Sequence, residues 1–401
     1  MIANPVITIE LTEYKPKILE QCEFQQTLAT KLFHEHQHRI EVEYPTPKTD
    51  FKWRLTCLGW VGAIPLSADL TLLLKPKIPL GNLFRMLEYA YRLDFKLLEG
   101  LLTCESLTEF YERLANVLAK RILDRERTGL YRAYVSREEL LPCVRGRIDI
   151  AGSVRNPCRV ELNCTFEEHT PDIPDNQILA WTLRMILQSG LCSERIRSTV
   201  RQAYHRLNGA ATLTPFGSTS CLNRLYHRLN SDYEPIHALC RFFLEHSGPT
   251  QNKGHHDMLP FLVDMSRLFE LFVAEWLKLH LPEQFELLVK HNVSVGESDQ
   301  LNYQIDLVLR DRETSKTLCV LDTKYKSSDS PANDDLYQVV TYAELQGCRK
   351  AVLLYPKPLA MNSTLKIGSF CVECFAFNLD GEIEAAGMML LQQLVKFCGQ
   401  S

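Results

Sequence analysis

No stretch of the 401-residue sequence is apolar for long enough to cross a bilayer. The longest apolar runs, Leu58–Leu66 and Leu70–Leu74, are interrupted by Ser67 and Asp69, far short of the roughly 20 residues a membrane helix needs. The opening MIANPVITIELTEYKPK lacks the apolar centre of a secretory leader. A Walker A loop and a G-x-G-x-x-G turn are both missing, so the chain is not expected to bind or hydrolyse nucleotide by itself. There is no internal repeat and no low-complexity tract. Neither sign of charge dominates: 45 Lys and Arg against 49 Asp and Glu leave a net charge of −4, which excludes a uniformly basic nucleic-acid coat. The 14 cysteines are scattered. The one C-x-x-C, Cys371 and Cys374 in FCVECFAF, reads as strand, where residues three apart face opposite sides. Zinc is therefore not expected, and reduced thiols in the cytoplasm are. What remains is a globular chain of two or three domains, with no membrane partner.

Residues 1 to about 80 read mostly as strand, with β-branched and aromatic runs at ITIEL, FKWRLTCLGWVG and LTLLLKPKI. From 81 to about 140 the apolar spacing turns helical, in NLFRMLEYAYRL and LTEFYERLANVLAKRILDRE. Strands follow at VRGRIDIA and RVELNCTFEE, then a long helix NQILAWTLRMILQSG stopped by Gly190. Two further helices span SERIRSTVRQAYHRLNGA and EPIHALCRFFLEHSG. SGPTQNKGHHDM (247–258) has no periodicity and reads as a linker. Beyond it, FLVDMSRLFELFVAEWLKLHL is an amphipathic helix. Strands come next at FELLVKHNVSV, NYQIDLVLR and TLCVLDTKY, a helix at DDLYQVVTYAELQG, strands at KAVLLYP and FCVECFAFNL, and a last helix over about 383–398. The fold class expected is α+β and multidomain, with segments 1–140 (β-rich and helical), 141–254 (basic, mostly helical) and 255–401, the last an α/β layer arrangement.

The chemistry sits in that last segment. Asp306 interrupts the apolar strand NYQIDLVLR. Asp322 and Lys324 share one face of TLCVLDTKYK, because side chains two apart on a strand point the same way. Charges leaving a strand as apolar as LCVL are costly without partners. Neighbouring strands would bring Asp306 and Asp322 together, and two carboxylates beside a lysine make a site for a hard divalent cation such as Mg²⁺. The spacing, Asp306 and sixteen residues later Asp322-Thr323-Lys324, is the D…(D/E)xK pattern of metal-dependent nucleases. The bland alternative is an ion pair at a strand end. Around the triplet stand Glu270, at the edge of an apolar helix stripe, and Gln338 and Tyr342, four apart on one helix face.

The last segment resembles a PD-(D/E)xK nuclease, and the chain is similar to the McrC family, the nuclease subunits of GTP-dependent restriction systems acting on DNA with modified cytosine. The matching segments are LLLKPKIPLGNLFRMLEYAY (72–91), VRGRIDI (144–150), FLVDMSRLFELFVAEWL (261–277), YQIDLVLR (303–310), VLDTKYK (320–326), DLYQVVTYAELQG (335–347) and LLYP (353–356). The resemblance implies that Asp306 and Asp322 are metal ligands and Lys324 the catalytic lysine. It also implies Glu270 as an additional acidic residue, the Thr323 carbonyl as a further ligand, and Gln338 and Tyr342 as a supporting Q-x-x-x-Y element. One departure is Ile305, where the family has Pro before the first Asp. It further implies Mg²⁺, double-stranded DNA and a hexameric McrB-like AAA+ GTPase partner that the first 250 residues engage. Arg145 and Arg147 are the residues singled out there for partner or DNA contact, with a structural strand edge as the other reading.

Basic residues cluster in the middle: ten Lys or Arg against five acids in 120–159, and six Arg with no acid in 195–228. That pattern fits phosphate contacts, and equally a solvated helix face or a surface that docks an acidic partner. His34, His36 and His38 would share a face only on a strand, and nothing nearby supplies a fourth ligand. Two other functions stay open: a RecB-like nuclease working alone or with a different motor, and a non-catalytic adaptor that activates a AAA+ GTPase.

Overall fold

The computed structural model describes residues 7–67, 70–93, 104, 106–151, 160–247, 261–295, 301–326, 330–360 and 364–399. In chain order the elements begin with β1 (Ile7–Thr12), β2 (Lys17–Leu19), α1 (Gln26–His36), β3 (Ile40–Glu43), β4 (Trp53–Cys57), β5 (Trp60–Ser67), β6 (Leu70–Lys75) and α2 (Leu80–Tyr91). Next come α3 (Leu107–Thr128), β7 (Ala133–Leu141), β8 (Arg147–Ile148), β9 (Leu162–Thr170), α4 (Pro174–Ser189), α5 (Glu194–Asn208) and α6 (Tyr233–His246). The chain continues through β10 (Phe261–Asp264), α7 (Met265–His280), β11 (Phe285–Val295), β12 (Leu301–Asp311), β13 (Thr317–Thr323), α8 (Asn333–Leu345), β14 (Lys350–Tyr355), β15 (Leu365–Ile367), β16 (Phe370–Ala376) and α9 (Ile383–Gly399). The class is α+β, as expected. None of the described helices is long and apolar enough to cross a membrane.

Three expectations are corrected. QTLATKLFHEH lies in a region read as strand but is α1, because Ala29, Leu32 and His36 fall on one buried helical stripe. AYVSREELL, read as the end of a helical stretch, is β7, paired with β9 from Ala133↔Thr170 to Leu141↔Leu162. Gly129, at φ +100°, follows α3 and turns the chain out of the helix. The helix expected from residue 261 starts at Met265. FLVD before it is a strand, and Asp264 caps the helix by accepting from the amides of Ser266 (3.0 Å) and Arg267 (3.2 Å).

The chain forms two compact units, Met1–Leu107 with Leu262–Ser401, and Thr108–Phe261. This differs from the three consecutive segments read from the sequence. The linker read at 247–258 lies, apart from Ser247, outside the described residues. In the first unit, N-terminal and C-terminal stretches are bonded to one another. Asn82 Nδ2 donates to the carbonyls of Leu379 (2.8 Å) and Gly381 (2.9 Å). The Tyr325 hydroxyl and the Lys77 amide both donate to Glu13 Oε2, at 3.2 and 2.9 Å. Sheets of order β1-β6-β5-β10 and β2-β4-β3 share a core built on Leu11, Leu55, Leu72 and Leu74. The second unit holds the sheet β7-β9-β8 and a helical core in which Tyr111 and Phe243 meet edge to face, centroids 5.0 Å apart.

The third sheet of the first unit, β11-β12-β13-β14-β16-β15, carries the candidate site. β11, β12 and β13 run antiparallel, then β13, β14 and β16 run parallel. Parallel neighbours need a crossover, and α8 supplies it between β13 and β14. β13 is central, and its Cys319–Asp322 stretch is buried, which explains why its sequence reads as a continuous apolar run.

Glu13 is 1% exposed, and burial pushes its carboxyl up to about 7, against the opposing pull of the Lys77 amide, the Lys77 charge and the Tyr325 hydroxyl. In the unfolded chain it titrates near 4.5. Between those values the folded protein holds a proton that the unfolded chain has released, so stability falls as pH rises through that window. The full effect is about 3 kcal/mol. Glu13→Gln removes this component. Urea unfolding at pH 5 and pH 8 should show the wild type losing roughly 2–3 kcal/mol more than the variant across that interval. Equal losses would refute the assignment.

Candidate active site

The register of β12 on β13 pairs Leu307 with Leu321 and Val308 with Val320. One step further along the same ladder, Asp306 stands opposite Asp322, and cross-strand partners share a face of the sheet. The Thr323 amide and hydroxyl both donate to Asp306 Oδ2, at 3.0 and 2.9 Å, fixing that carboxylate to the end of β13. β13 stops at Thr323, yet the Lys324 amide still donates to Leu354 O of β14 at 2.8 Å. The lysine is therefore held at the end of this central strand.

Lys324 Nζ lies 2.7 Å from Asp322 Oδ2 and donates to Gln338 Oε1 at 2.8 Å. Gln338 Nε2 in turn donates to the Tyr342 hydroxyl at 2.8 Å. The structure thus connects the two residues of the Q-x-x-x-Y element to the lysine in one chain of bonds. Asp335, one helical turn before Gln338, lies 3.8 Å from Lys324 and accepts from Lys326 through both oxygens at 2.8 Å. Glu270 reaches the same cavity from α7 and pairs with Lys290 Nζ at 3.2 Å. The cavity holds about 410 Å³ and is lined by Ser266, Arg267, Glu270, Lys290, Asp306, Asp322, Thr323, Lys324 and Gln338.

Electrostatics follow from this crowding. Burial first, then the charge of Asp306, pushes the Asp322 carboxyl up to about 6, despite the nearby Lys324. Glu270 is raised by burial and then by Asp306, with Lys290 pulling the other way. Burial disfavours the Lys324 ammonium, but the bond to Asp322 and the charges of Asp322, Asp335 and Asp306 outweigh it, so its pKa is raised. Lys324 is accordingly a proton donor and cation at neutral pH.

Asp322 Oδ2 is buried, and the contact found for it is the Lys324 ammonium at 2.7 Å. A buried acceptor of this kind suits a cation. Among the described residues no group of three or more His, Cys, Asp or Glu is gathered for a metal. A cation here would take two carboxylates, with the rest of its shell from backbone, water and substrate. That donor set fits Mg²⁺, which keeps several waters and favours phosphate oxygens.

Sequence reading missed Asp335, Lys290, Arg267 and Ser266. Asp335 was within reach of it, because positions 335, 338 and 342 fall on one helix face. Lys290 gave no such signal.

The remaining candidates lie elsewhere. Arg145 and Arg147 are exposed in the second unit, with the Arg145 guanidinium 3.8 Å over the Phe166 ring. Gly146 between them has φ +71°, and a Cβ there would come within 2.4 Å of the Thr165 carbonyl, so the turn requires glycine. The acid-free stretch 195–228 finds acids in space: Arg224 pairs with Asp175 at 2.6 Å, Arg206 with Glu126 at 3.9 Å, and Arg197 and Arg201 with Glu194 at 4.0 Å. His36 is buried and bonded to Arg39 at 3.0 Å; burial, then the charges of Arg39 and Lys31, push its pKa down to about 4, so it is a neutral core residue. Cys374 sits in β16, its thiol raised to about 11 by burial.

A family model described as McrBC 5-methylcytosine restriction system component matches residues 55–356, which include every site residue above. The Escherichia coli K12 protein described as type IV methyl-directed restriction enzyme EcoKMcrBC is 27% identical over 338 residues, covering 77% of this chain and 94% of that protein. A solved chain from the Thermococcus gammatolerans half-complex of McrB AAA+ hexamers with bound McrC is 17% identical, with a TM-score of 0.57, covering 97% of this chain and 100% of that one. At that identity the likeness is one of fold.

Proposed function

The chain belongs to the McrBC family of restriction system components, and we propose that within it this protein is the Mg²⁺-dependent endonuclease subunit. It cleaves DNA carrying methylated cytosine and stimulates an McrB-like AAA+ GTPase hexamer, which supplies the GTP chemistry that this chain lacks a motif for. It works in the cytoplasm. The Thermococcus structure, whose description names McrB hexamers with bound McrC, supports the partner. The observation that carries the reading is the convergence of Asp306, Asp322, Lys324 and Gln338 on one cavity at the end of β13. This convergence supports reading the sheet as a PD-(D/E)xK core.

Asp306, Asp322 and the Thr323 carbonyl would hold Mg²⁺, which when bound supplies a Lewis acid for the scissile phosphate and acidifies water. The chain's own residues do the rest. Thr323 fixes the orientation of Asp306 through two bonds to one oxygen. Gln338, braced by Tyr342, holds the Lys324 ammonium within reach of Asp322. There the ammonium donates to the attacking water or to a non-bridging phosphate oxygen and offsets the developing negative charge. Glu270 adds a third carboxylate at the cavity wall.

The test is plasmid cleavage with the AAA+ partner present. Cutting should require methylated DNA, GTP and Mg²⁺ together. Cutting of unmethylated DNA without GTP would favour a RecB-like enzyme instead. GTPase stimulation with no cutting under any condition would favour an adaptor.

A further inference from the structure

Lys290 is a non-glycine residue in the left-handed region, φ +52°, in the middle of a strand. β11 pairs Val289 with Leu307 and His291 with Ile305. Lys290 falls between them, at the position facing Asp306, where the regular pairing is broken. Left-handed backbone at a lysine is uncommon and persists where the surroundings impose it, often at functional sites. Here the distortion lies beside Asp306, and the side chain lines the same cavity as Asp306, Asp322 and Lys324. Its ammonium contacts Glu270 at 3.2 Å.

The two lysines of the cavity differ. Lys324 is 15% exposed and committed to Asp322 and Gln338. Lys290 is 38% exposed and meets Glu270 alone among the described ion pairs. A phosphodiester entering this cavity meets three carboxylates, Glu270, Asp306 and Asp322. A solvent-reachable cation lining the same cavity answers that repulsion.

We propose that Lys290 is a phosphate-contacting residue of the cleavage site, presented by the left-handed turn in β11 and exchanged from Glu270 to a DNA phosphate as the backbone enters. The proposal rests on the nuclease reading and deepens it.

Its test is metal-free binding of a fluorescein-labelled DNA duplex by the full chain, followed by anisotropy in EDTA across a salt series. Lys290→Gly removes the ammonium while accepting the left-handed geometry; relief of the backbone offsets the lost pair with Glu270, so its melting temperature should stay within a few degrees of the wild type. Its affinity should fall roughly tenfold, and its log–log salt slope should shrink by about 1, the signature of one lost phosphate contact. Lys290→Arg should keep affinity within about threefold, because guanidinium also binds phosphate. Glu270→Gln separates this role from simple support of Glu270: it frees the lysine and should leave binding unchanged or tighter. Wild-type affinity and slope in Lys290→Gly would overturn the proposal. So would a loss in Glu270→Gln equal to that in Lys290→Gly, or a wild type that binds no duplex. The nuclease reading fails by a different result, an uncut methylated plasmid with partner, GTP and Mg²⁺ present, which the metal-free assay does not touch.

Discussion

Asp322→Asn should lower DNA cleavage by the assembled complex at least about 10³-fold, roughly 4 kcal/mol of transition-state stabilisation, and should leave the protein at least as stable as the wild type at pH 8. The two halves of this outcome come from the same cause. Asp322 is 1% exposed, and burial together with Asp306 holds its carboxyl near pH 6. Keeping it ionised at pH 8 costs the fold about 3 kcal/mol relative to an ordinary aspartate. Asparagine preserves the shape and removes that cost, but it cannot bind a cation with a full negative charge. Part of the gain is offset because Lys324 loses its nearest counter-ion and keeps Gln338 and the more distant Asp335. The net gain is on the order of 1 kcal/mol. Lys324→Ala makes the contrast. It should also remove cleavage, yet, by stranding Asp322 beside Asp306 without a cation, it should lower stability at pH 8. The measurements are plasmid cleavage with partner, GTP and Mg²⁺, and melting temperature at pH 5 and pH 8. Cleavage by Asp322→Asn within tenfold of the wild type would end the catalytic assignment. Parallel destabilisation by both variants would end the account of its burial.

Much of this site could be read from the chain because its residues are periodic. Asp306, Asp322 and Lys324 stand out as charges in strands that are otherwise apolar, and the alternation of strand side chains places Asp322 and Lys324 together without coordinates. Gln338 and Tyr342 declare a shared face by their spacing. The strands FELLVKHNVSV and TLCVLDT were likewise visible in composition, since their apolar residues answer to burial. What stayed hidden depends on contacts distant in sequence. Glu13 and Tyr325 are 312 positions apart and meet by a hydrogen bond, and no local pattern announces that. The left-handed backbone at Lys290 is hidden for the same reason: lysine has no preference for it, and the site rather than the residue imposes it. The FLVD strand was misread because an apolar residue at 262 fits a helical stripe as well as a buried strand. Asp264, as the helix cap, was the mark that separated the two.

Gly387 carries the other large effect, on stability. A Cβ built there would lie 2.2 Å from the Trp276 ring, with two further ring atoms within 2.7 Å. A helix interior normally disfavours glycine by about 1 kcal/mol, and α9 keeps one here because the flat indole occupies the space of a side chain. Trp276 cannot yield. It is fully buried, stacked on His280 with centroids 4.0 Å apart and 14° between planes, set edge-on to Phe377 at 5.4 Å, and donates Nε1–H to Glu384 at 3.3 Å. Gly387→Val should therefore destabilise by about 3 kcal/mol, the upper part of the overpacking range. Trp276→Ala should cost about 3–5 kcal/mol by opening a cavity. The two losses share one volume, so they must not add. Gly387→Val combined with Trp276→Ala should be more stable than the sum of the separate losses by at least about 1 kcal/mol. Because Trp276 lies six residues beyond Glu270 on α7, the single variants should also blunt cleavage, and the compensated pair should recover part of it. Melting temperatures and cleavage rates for the four-member cycle decide it. Additive losses would show that Gly387 is required by its backbone and not by the indole against it.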